Sequence, residues 1–198
     1  MYPVFESIKV HDRKICLFEF HLERMQRTSN FLWNKPLNFP LLKEEIEAKA
    51  GEGLQKCRVS YSNENYQIEC IGYVKRSINR LHLIHDDTIS YPFKMCDRNC
   101  FKTYTERLPS DEDIVIIKNN FLTDTSYSNL AMWNGKEWHT PFNPLLNGIK
   151  REHLLKMGIL KEAAVSADQI GQYSKISLIN SMLNLGDTEI DITSILPL

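Results

Sequence analysis

The chain has 198 residues and 23.1 kDa, and its 24 Lys+Arg against 25 Asp+Glu leave a formal net charge of −1. At roughly 100–200 residues per domain that length holds one domain or two small ones, and a pI near 6.6 gives no electrostatic footprint for nucleic acid. No apolar run approaches the ~20 residues of a membrane span, and MYPVFESIKV lacks the charged and apolar regions of a signal peptide. A cytoplasmic protein with no membrane partner is expected. Cys16, Cys57, Cys70, Cys96 and Cys100 form no CxxC pair, and the histidines form no HExxH. That usage predicts reduced thiols packed as small hydrophobes, and no metal.

Taken in chain order, Val4–Ile8 and Lys14–Phe18 read as strands around the turn His11-Asp12-Arg13. Phe20–Trp33 reads as a helix with Leu22, Met25, Ser29 and Leu32 on one face and His21, Arg24 and Thr28 on another. Pro36 and Pro40 end that element, and Leu41–Ala50 forms a second helix before Gly51. Two strands, Cys57–Tyr61 and Tyr66–Tyr73, flank the turn-forming Ser62-Asn63-Glu64-Asn65. The polar stretch Lys75–Asn79 then joins a small N-terminal domain, residues 1–76, to a larger one, residues 77–198.

In the second domain Leu81–Ile84 and Asp113–Lys118 read as strands and Arg98–Leu108 as a helix. Asn119-Asn120 makes a turn, and Leu130–Trp133 and Lys136–His139 pair around Asn134-Gly135, the strongest hairpin signal in the chain. Ile149–Met157 is a helix stopped by Gly158, followed by a helix near Ala167–Tyr173 and a strand at Ile176–Ile179. The fold class is α/β, mixed, in two domains.

Four places could carry chemistry. Lys94 lies between an apolar strand end and a helix start, where desolvation makes an amine nucleophilic; a solvated surface charge is the plainer reading. Asp124 sits in Leu122-Thr123-Asp124-Thr125-Ser126-Tyr127-Ser128-Asn129, either a hydrogen-bonded turn or a carboxylate aimed at a cationic ring nitrogen. Asn147-Gly148-Ile149 opens a helix whose first N–H groups suit a phosphate, unless it merely follows a turn. Arg24, in His21-x-x-Arg24, suits phosphate in a bidentate fork or is an exposed helical charge.

Their order and spacing decide between these readings. Lys94, then Asp124, then the Thr140-Pro141 to Arg151 segment resembles the C-terminal domain of class IV, fold-type IV pyridoxal-phosphate enzymes. That family includes branched-chain and D-amino-acid aminotransferases and aminodeoxychorismate lyase. Phe5–Val10 and His21-x-x-Arg24 match its N-terminal motifs, so the resemblance runs from Val4 to about Asn180. It implies a two-domain fold like that of D-amino-acid aminotransferase, shortened at the N-terminus, and a homodimer.

The resemblance also implies roles. Lys94 would hold pyridoxal phosphate covalently and then shuttle the substrate's proton. Arg24, with the amides near Gly148 and Ile149, would bind the cofactor phosphate. Asp124 would pair with the pyridine nitrogen, and Asn129 would brace that loop. Family members usually carry Glu at the position of Asp124, one methylene longer. A tyrosine some members place against the cofactor's 3′-oxygen has no counterpart in Met95–Cys100.

Lys-x-x-Asp-Arg at Lys94–Arg98 and the Asn-Gly-Ile-x-Arg helix start resemble the lyase more than the branched-chain transaminases. Ser7 falls where the lyase has a threonine hydroxyl, as a proton relay or simply as a small strand residue. Lys9, Arg27 and Arg98 are candidates for the substrate's carboxylates. The expected activity is conversion of 4-amino-4-deoxychorismate to 4-aminobenzoate and pyruvate, a step of folate biosynthesis. An aminotransferase for a branched-chain or D-amino acid, and a non-catalytic relative that binds pyridoxal phosphate or a partner, are the alternatives.

Overall fold

The computed structural model describes residues 2–197. It divides into two compact units. One runs to Val74 and takes in Phe93–Asp97; the other comprises Lys75–Pro92 and the chain from Arg98 onward. Lys94, expected in the second domain, therefore packs with the first unit. Its segment is tied there by backbone: the Phe5 N–H donates to the Lys94 carbonyl at 3.0 Å, and the Cys96 N–H to the Pro3 carbonyl at 2.7 Å.

The first unit is an antiparallel sheet of order β2-β1-β3-β4, made of β1 (Val4–His11), β2 (Lys14–Ile15), β3 (Leu54–Tyr61) and β4 (Tyr66–Gly72). Strand period places Val4, Ile8 and Val10 on one side. There they pack with Cys57, Val59 and Tyr61 of β3, Met25 of α1 (Phe18–Trp33) and Leu42 and Ile46 of α2 (Leu42–Lys49). The expected strand Lys14–Phe18 is cut short because Leu17 turns left-handed (φ 54°), and α1 starts at Phe18. That helix buries His21, Arg24 and Thr28 along with Met25 and Ser29, so its polar face points inward. The reason is Glu6, which shares the buried side of β1 with Val4 and Ile8.

Cys57 and Cys70 stand directly opposite each other on β3 and β4 and form a disulfide, with Cα atoms 4.0 Å apart. This corrects the expectation of reduced thiols for that pair. Spacing alone did not reveal it, because adjacency comes from strand register.

The second unit is a mixed sheet of order β10-β9-β8-β7-β6-β5-β13. Its strands are β5 (Arg80–His85), β6 (Glu112–Lys118), β7 (Phe121–Thr125), β8 (Asn129–Trp133), β9 (Trp138–Pro141), β10 (Leu160–Ala163) and β13 (Ile195–Pro197). Against β8 lies β11 (Lys175–Ile179), which also pairs with β12 (Glu189–Asp191). The parallel pairs β5–β6 and β9–β10 are each linked through a helix, α3 (Asn99–Thr105) and α4 (Ile149–Lys156) respectively. Ile114 to Ile117 are all fully buried, as expected of a strand covered on both faces.

The expected turn at Asn119-Asn120 is present, and two other local expectations differ. The primed two-residue turn is at Asn119-Asn120 (φ 50° and 67°). At Asn134-Gly135 only the glycine is left-handed (φ 94°), and the Asn134 side chain closes the loop by accepting from the N–H groups of Lys136 and Glu137. Ala167–Gln172 is a 3₁₀ helix rather than an α-helix, opened by a reciprocal Ser166–Gln169 cap. No helix among the described residues is long and apolar enough to cross a membrane.

Candidate active site

In the first unit a buried polar cluster joins β1 to α1. Arg24 donates from Nε to Glu6 Oε1 at 2.8 Å and from Nη2 to Oε2 at 2.5 Å, and His21 Nδ1 lies 2.7 Å from Oε2. Burial alone would raise the Glu6 pKa, but the Arg24 charge and the bonds from His21 and Arg24 outweigh it and hold the carboxyl at about 2. The ionised carboxylate only accepts, so His21 carries its proton on Nδ1. Burial, with the charges of Arg24 and Lys94, pushes the imidazole pKa down against the pull of Glu6, so the ring is neutral. Its Nε2 is buried without a hydrogen-bond partner among the described residues.

The opposite side of β1 presents Phe5, Ser7 and Lys9. The Lys94 amine sits 4.8 Å from the centre of the Phe5 ring, and the Arg58 guanidinium stacks on the same ring at 3.7 Å. Arg58 also donates to Ser60 Oγ at 3.2 Å and to Cys96 Sγ at 3.5 Å. Ser7 is paired across from Arg58, and Lys9 across from Lys56. Arg27, by contrast, is exposed on α1.

In the second unit Asp124 and Asn129 face each other across the β7–β8 hairpin. Asn129 Nδ2 donates to Asp124 Oδ1 at 2.7 Å, and the Leu146 N–H donates to Oδ2 at 2.8 Å. No cation forms an ion pair with Asp124 among the described residues, although the Arg151 charge acts on it. Burial dominates and pushes its pKa up to about 7, against the lowering by the Leu146 and Asn129 bonds. Gly148 precedes α4, and Ile149 opens it.

Two arginines of the motif segments have structural partners, and one of them, Arg98, is an expected carboxylate ligand. Arg151, buried, donates to the Pro141 carbonyl at 2.9 Å and to Glu162 at 2.6 Å. Arg98 donates to the Ser126 carbonyl, which braces the loop between Asp124 and Asn129. That loop has a second brace, Asn180, whose amide donates to Ser128 Oγ at 2.9 Å while its oxygen accepts from the N–H groups of Met182 and Leu183.

Comparison with known proteins shows the family and the fold. The family pattern described as Amino-transferase class IV matches residues 93–187. A Haemophilus influenzae protein of uncharacterised function is 31% identical over 190 residues, spanning 93% of this chain and all of that one. The chain belongs to the class IV aminotransferase family.

A crystal structure from Haemophilus somnus, described as a proposed 4-amino-4-deoxychorismate lyase, is 28% identical, with TM-score 0.82 over 93% of this chain and 98% of that one. A hypothetical aminotransferase from Mycobacterium tuberculosis in its pyridoxal-phosphate-bound form shares the fold at 15% identity, with TM-score 0.73 over 98% of this chain and 81% of that one.

Class IV aminotransferases depend on pyridoxal phosphate, and the residues here fit that group. A buried carboxylate with no ion-pair partner among the described residues, its pKa raised by desolvation, suits a cationic ring nitrogen. A buried imidazole nitrogen without a hydrogen-bond partner among the described residues lies one helical turn from Arg24. Glu6 escaped the sequence reading. Its signal was there: a charged residue in phase with Val4, Ile8 and Val10 requires a buried partner. Arg58 gave no such signal, since only register places it beside Ser7 and Phe5.

Proposed function

We propose that the protein is a pyridoxal-phosphate-dependent lyase converting 4-amino-4-deoxychorismate to 4-aminobenzoate and pyruvate. The observation that supports this best is a shared sheet face. Phe5, Ser7 and Lys9 alternate onto the side of β1 where the Lys94 amine and the Arg58 guanidinium lie. One surface thus offers a base, a hydroxyl and cations for carboxylates. The 28% identity to the Haemophilus somnus protein, itself described as a proposed lyase of this kind, supports the same reading.

Pyridoxal phosphate, when bound, supplies an electron sink for the amine-bearing carbon of the substrate. Lys94 would hold the cofactor and then take the proton from that carbon at its Nζ. Asp124 would face the ring nitrogen; a nearby cation favours its ionised form and offsets the desolvation that raises its pKa. Arg24, whose Nε and Nη2 are held by Glu6, would offer the phosphate the rest of its guanidinium rather than a bidentate fork. The N–H groups at Gly148 and Ile149 would bind phosphate too. Lys9 and Arg58 would meet substrate carboxylates. Ser7 would relay the proton taken up by Lys94, giving its own hydroxyl proton to the departing enolpyruvyl oxygen and receiving one from the Lys94 side, as the carbon–oxygen bond breaks and the ring becomes aromatic. The released enol tautomerises to pyruvate, and no amino acceptor is consumed.

The test supplies reconstituted protein with 4-amino-4-deoxychorismate and no oxo acid. Equal release of pyruvate and 4-aminobenzoate, abolished by Lys94→Ala, is the expected result. No release despite visible absorbance of bound cofactor would transfer the assignment to transamination of an amino acid. A protein that takes up no cofactor would be a non-catalytic relative.

A further inference from the structure

Asn129 spends both of its amide N–H bonds, on Asp124 Oδ1 at 2.7 Å and on the Leu146 carbonyl at 2.9 Å. Leu146 returns its own N–H to the other carboxylate oxygen at 2.8 Å. Carboxylate, amide and peptide form a closed ring of three hydrogen bonds. Both oxygens of Asp124 are thereby fixed by neutral donors before any ligand arrives.

The remaining atom of that amide explains a glycine. A Cβ built on Gly148 would lie 1.9 Å from Asn129 Oδ1 and 3.1 Å from Asn129 Cγ. Non-bonded heavy atoms do not approach to such a distance, so any side chain at 148 must expel the amide. The backbone of Gly148 (φ −77°, ψ 144°) is one that any residue adopts, so conformation does not call for glycine. Nor does a phosphate bound through the peptide N–H, since alanine keeps that group.

We propose that Asn129 is the positioning residue of Asp124, and that position 148 lacks a side chain in order to admit its amide. The functional meaning rests on the reading in which Asp124 meets the cofactor's ring nitrogen. Asn129 suits the task in both reach and charge. Aspartate there would set a like charge against Asp124, and serine is too short to span Asp124 and Leu146. The charged group acting on Asp124 is Arg151, itself held by Glu162 and the Pro141 carbonyl.

Three variants test this: Asn129→Ala, Gly148→Ala and the double substitution. The Asp124 carboxyl is titrated by carbon-detected NMR in apoprotein, and pyridoxal phosphate affinity is measured separately. Asn129→Ala removes a donor to the anion, so Asp124 should titrate about one pH unit higher. Gly148→Ala should give the same upward shift, by expelling the amide. The double variant should match Asn129→Ala in both titration and affinity, because the new methyl occupies space the amide has left. If Gly148→Ala alone fails to fold, adding Asn129→Ala should restore soluble protein. An unmoved titration in Asn129→Ala would overturn the proposal. So would a double variant that binds the cofactor about tenfold more weakly than Asn129→Ala, or one that stays unfolded where Asn129→Ala folds. Failure of the cofactor reading shows elsewhere, as parent protein that binds no pyridoxal phosphate while its Asp124 still titrates.

Discussion

Arg24 forks onto Glu6 through Nε and Nη2, at 2.8 and 2.5 Å, inside the first unit and away from solvent. Removing one member of a buried pair leaves the other charge uncompensated, so Glu6→Gln should cost roughly 3–5 kcal/mol at pH 7. The folded pKa of Glu6, about 2, lies below its ordinary value of 4.5. Its contribution is therefore complete above the ordinary value and is lost as pH falls toward 2. Urea unfolding of both proteins across that window should show the deficit of Glu6→Gln narrowing below pH 4.5. A constant deficit would mean that the carboxylate charge is not what the pair contributes.

Asp124 has the opposite sign. Its pKa is raised from 3.8 to about 7, so the folded apoprotein favours the neutral acid and loses stability as pH rises between those values. Asp124→Asn cannot titrate, and its apoprotein Tm should fall less than the parent's between pH 5 and about 7.5. Pyridoxal phosphate should stabilise the parent more than the variant at pH 8, since a cation beside Asp124 removes the desolvation penalty. Parallel Tm curves for parent and variant would place the folded and unfolded pKa values of Asp124 together.

What could be read in the sequence followed from periodicity. The strands β1, β3, β6 and β8 and the helices α1 and α4 announced themselves through alternation or helical spacing. β7 did not, because Thr123, Asp124 and Thr125 look like loop residues and are buried only by neighbours distant in sequence. β10 hides for a related reason: its Lys161 and Glu162 are exposed edge residues of good helix-forming type. Motif order brought out Lys94, Arg24, Asp124 and Asn129, whereas the partners Glu6, Arg58 and Leu146 depend on register and loop closure. Gly148 suits phosphate by its place before a helix, yet what a Cβ there would meet first is a side-chain oxygen.

The Cys57–Cys70 bond closes a short hairpin loop, with a sequence separation of 13. Loops of that size gain about 3 kcal/mol when cross-linked, because the unfolded chain is constrained. Reductant should therefore lower the Tm of the parent and leave that of a Cys57→Val, Cys70→Val double variant unchanged. Mass spectrometry of thiol-alkylated protein gives an independent reading. Labelling of both cysteines in native protein without reductant would contradict the bond.

Ser7 offers the sharpest kinetic distinction, because its two readings differ in one hydroxyl. As a small strand residue it should tolerate alanine, with pyruvate release unchanged. As a proton relay to the enolpyruvyl oxygen it contributes only in the bond-breaking step, so Ser7→Ala should lower kcat about 10²–10⁴-fold with little change in KM. The absorbance of bound cofactor should not move, since on the proposed reading Lys94, Arg24 and Asp124 make the cofactor contacts. Ser7→Thr restores a hydroxyl on the same carbon and should recover most of the rate. Rescue by threonine separates chemistry from packing: a site needing only small volume would accept alanine better than threonine. Equal rates for all three proteins would remove Ser7 from the mechanism and leave protonation to solvent.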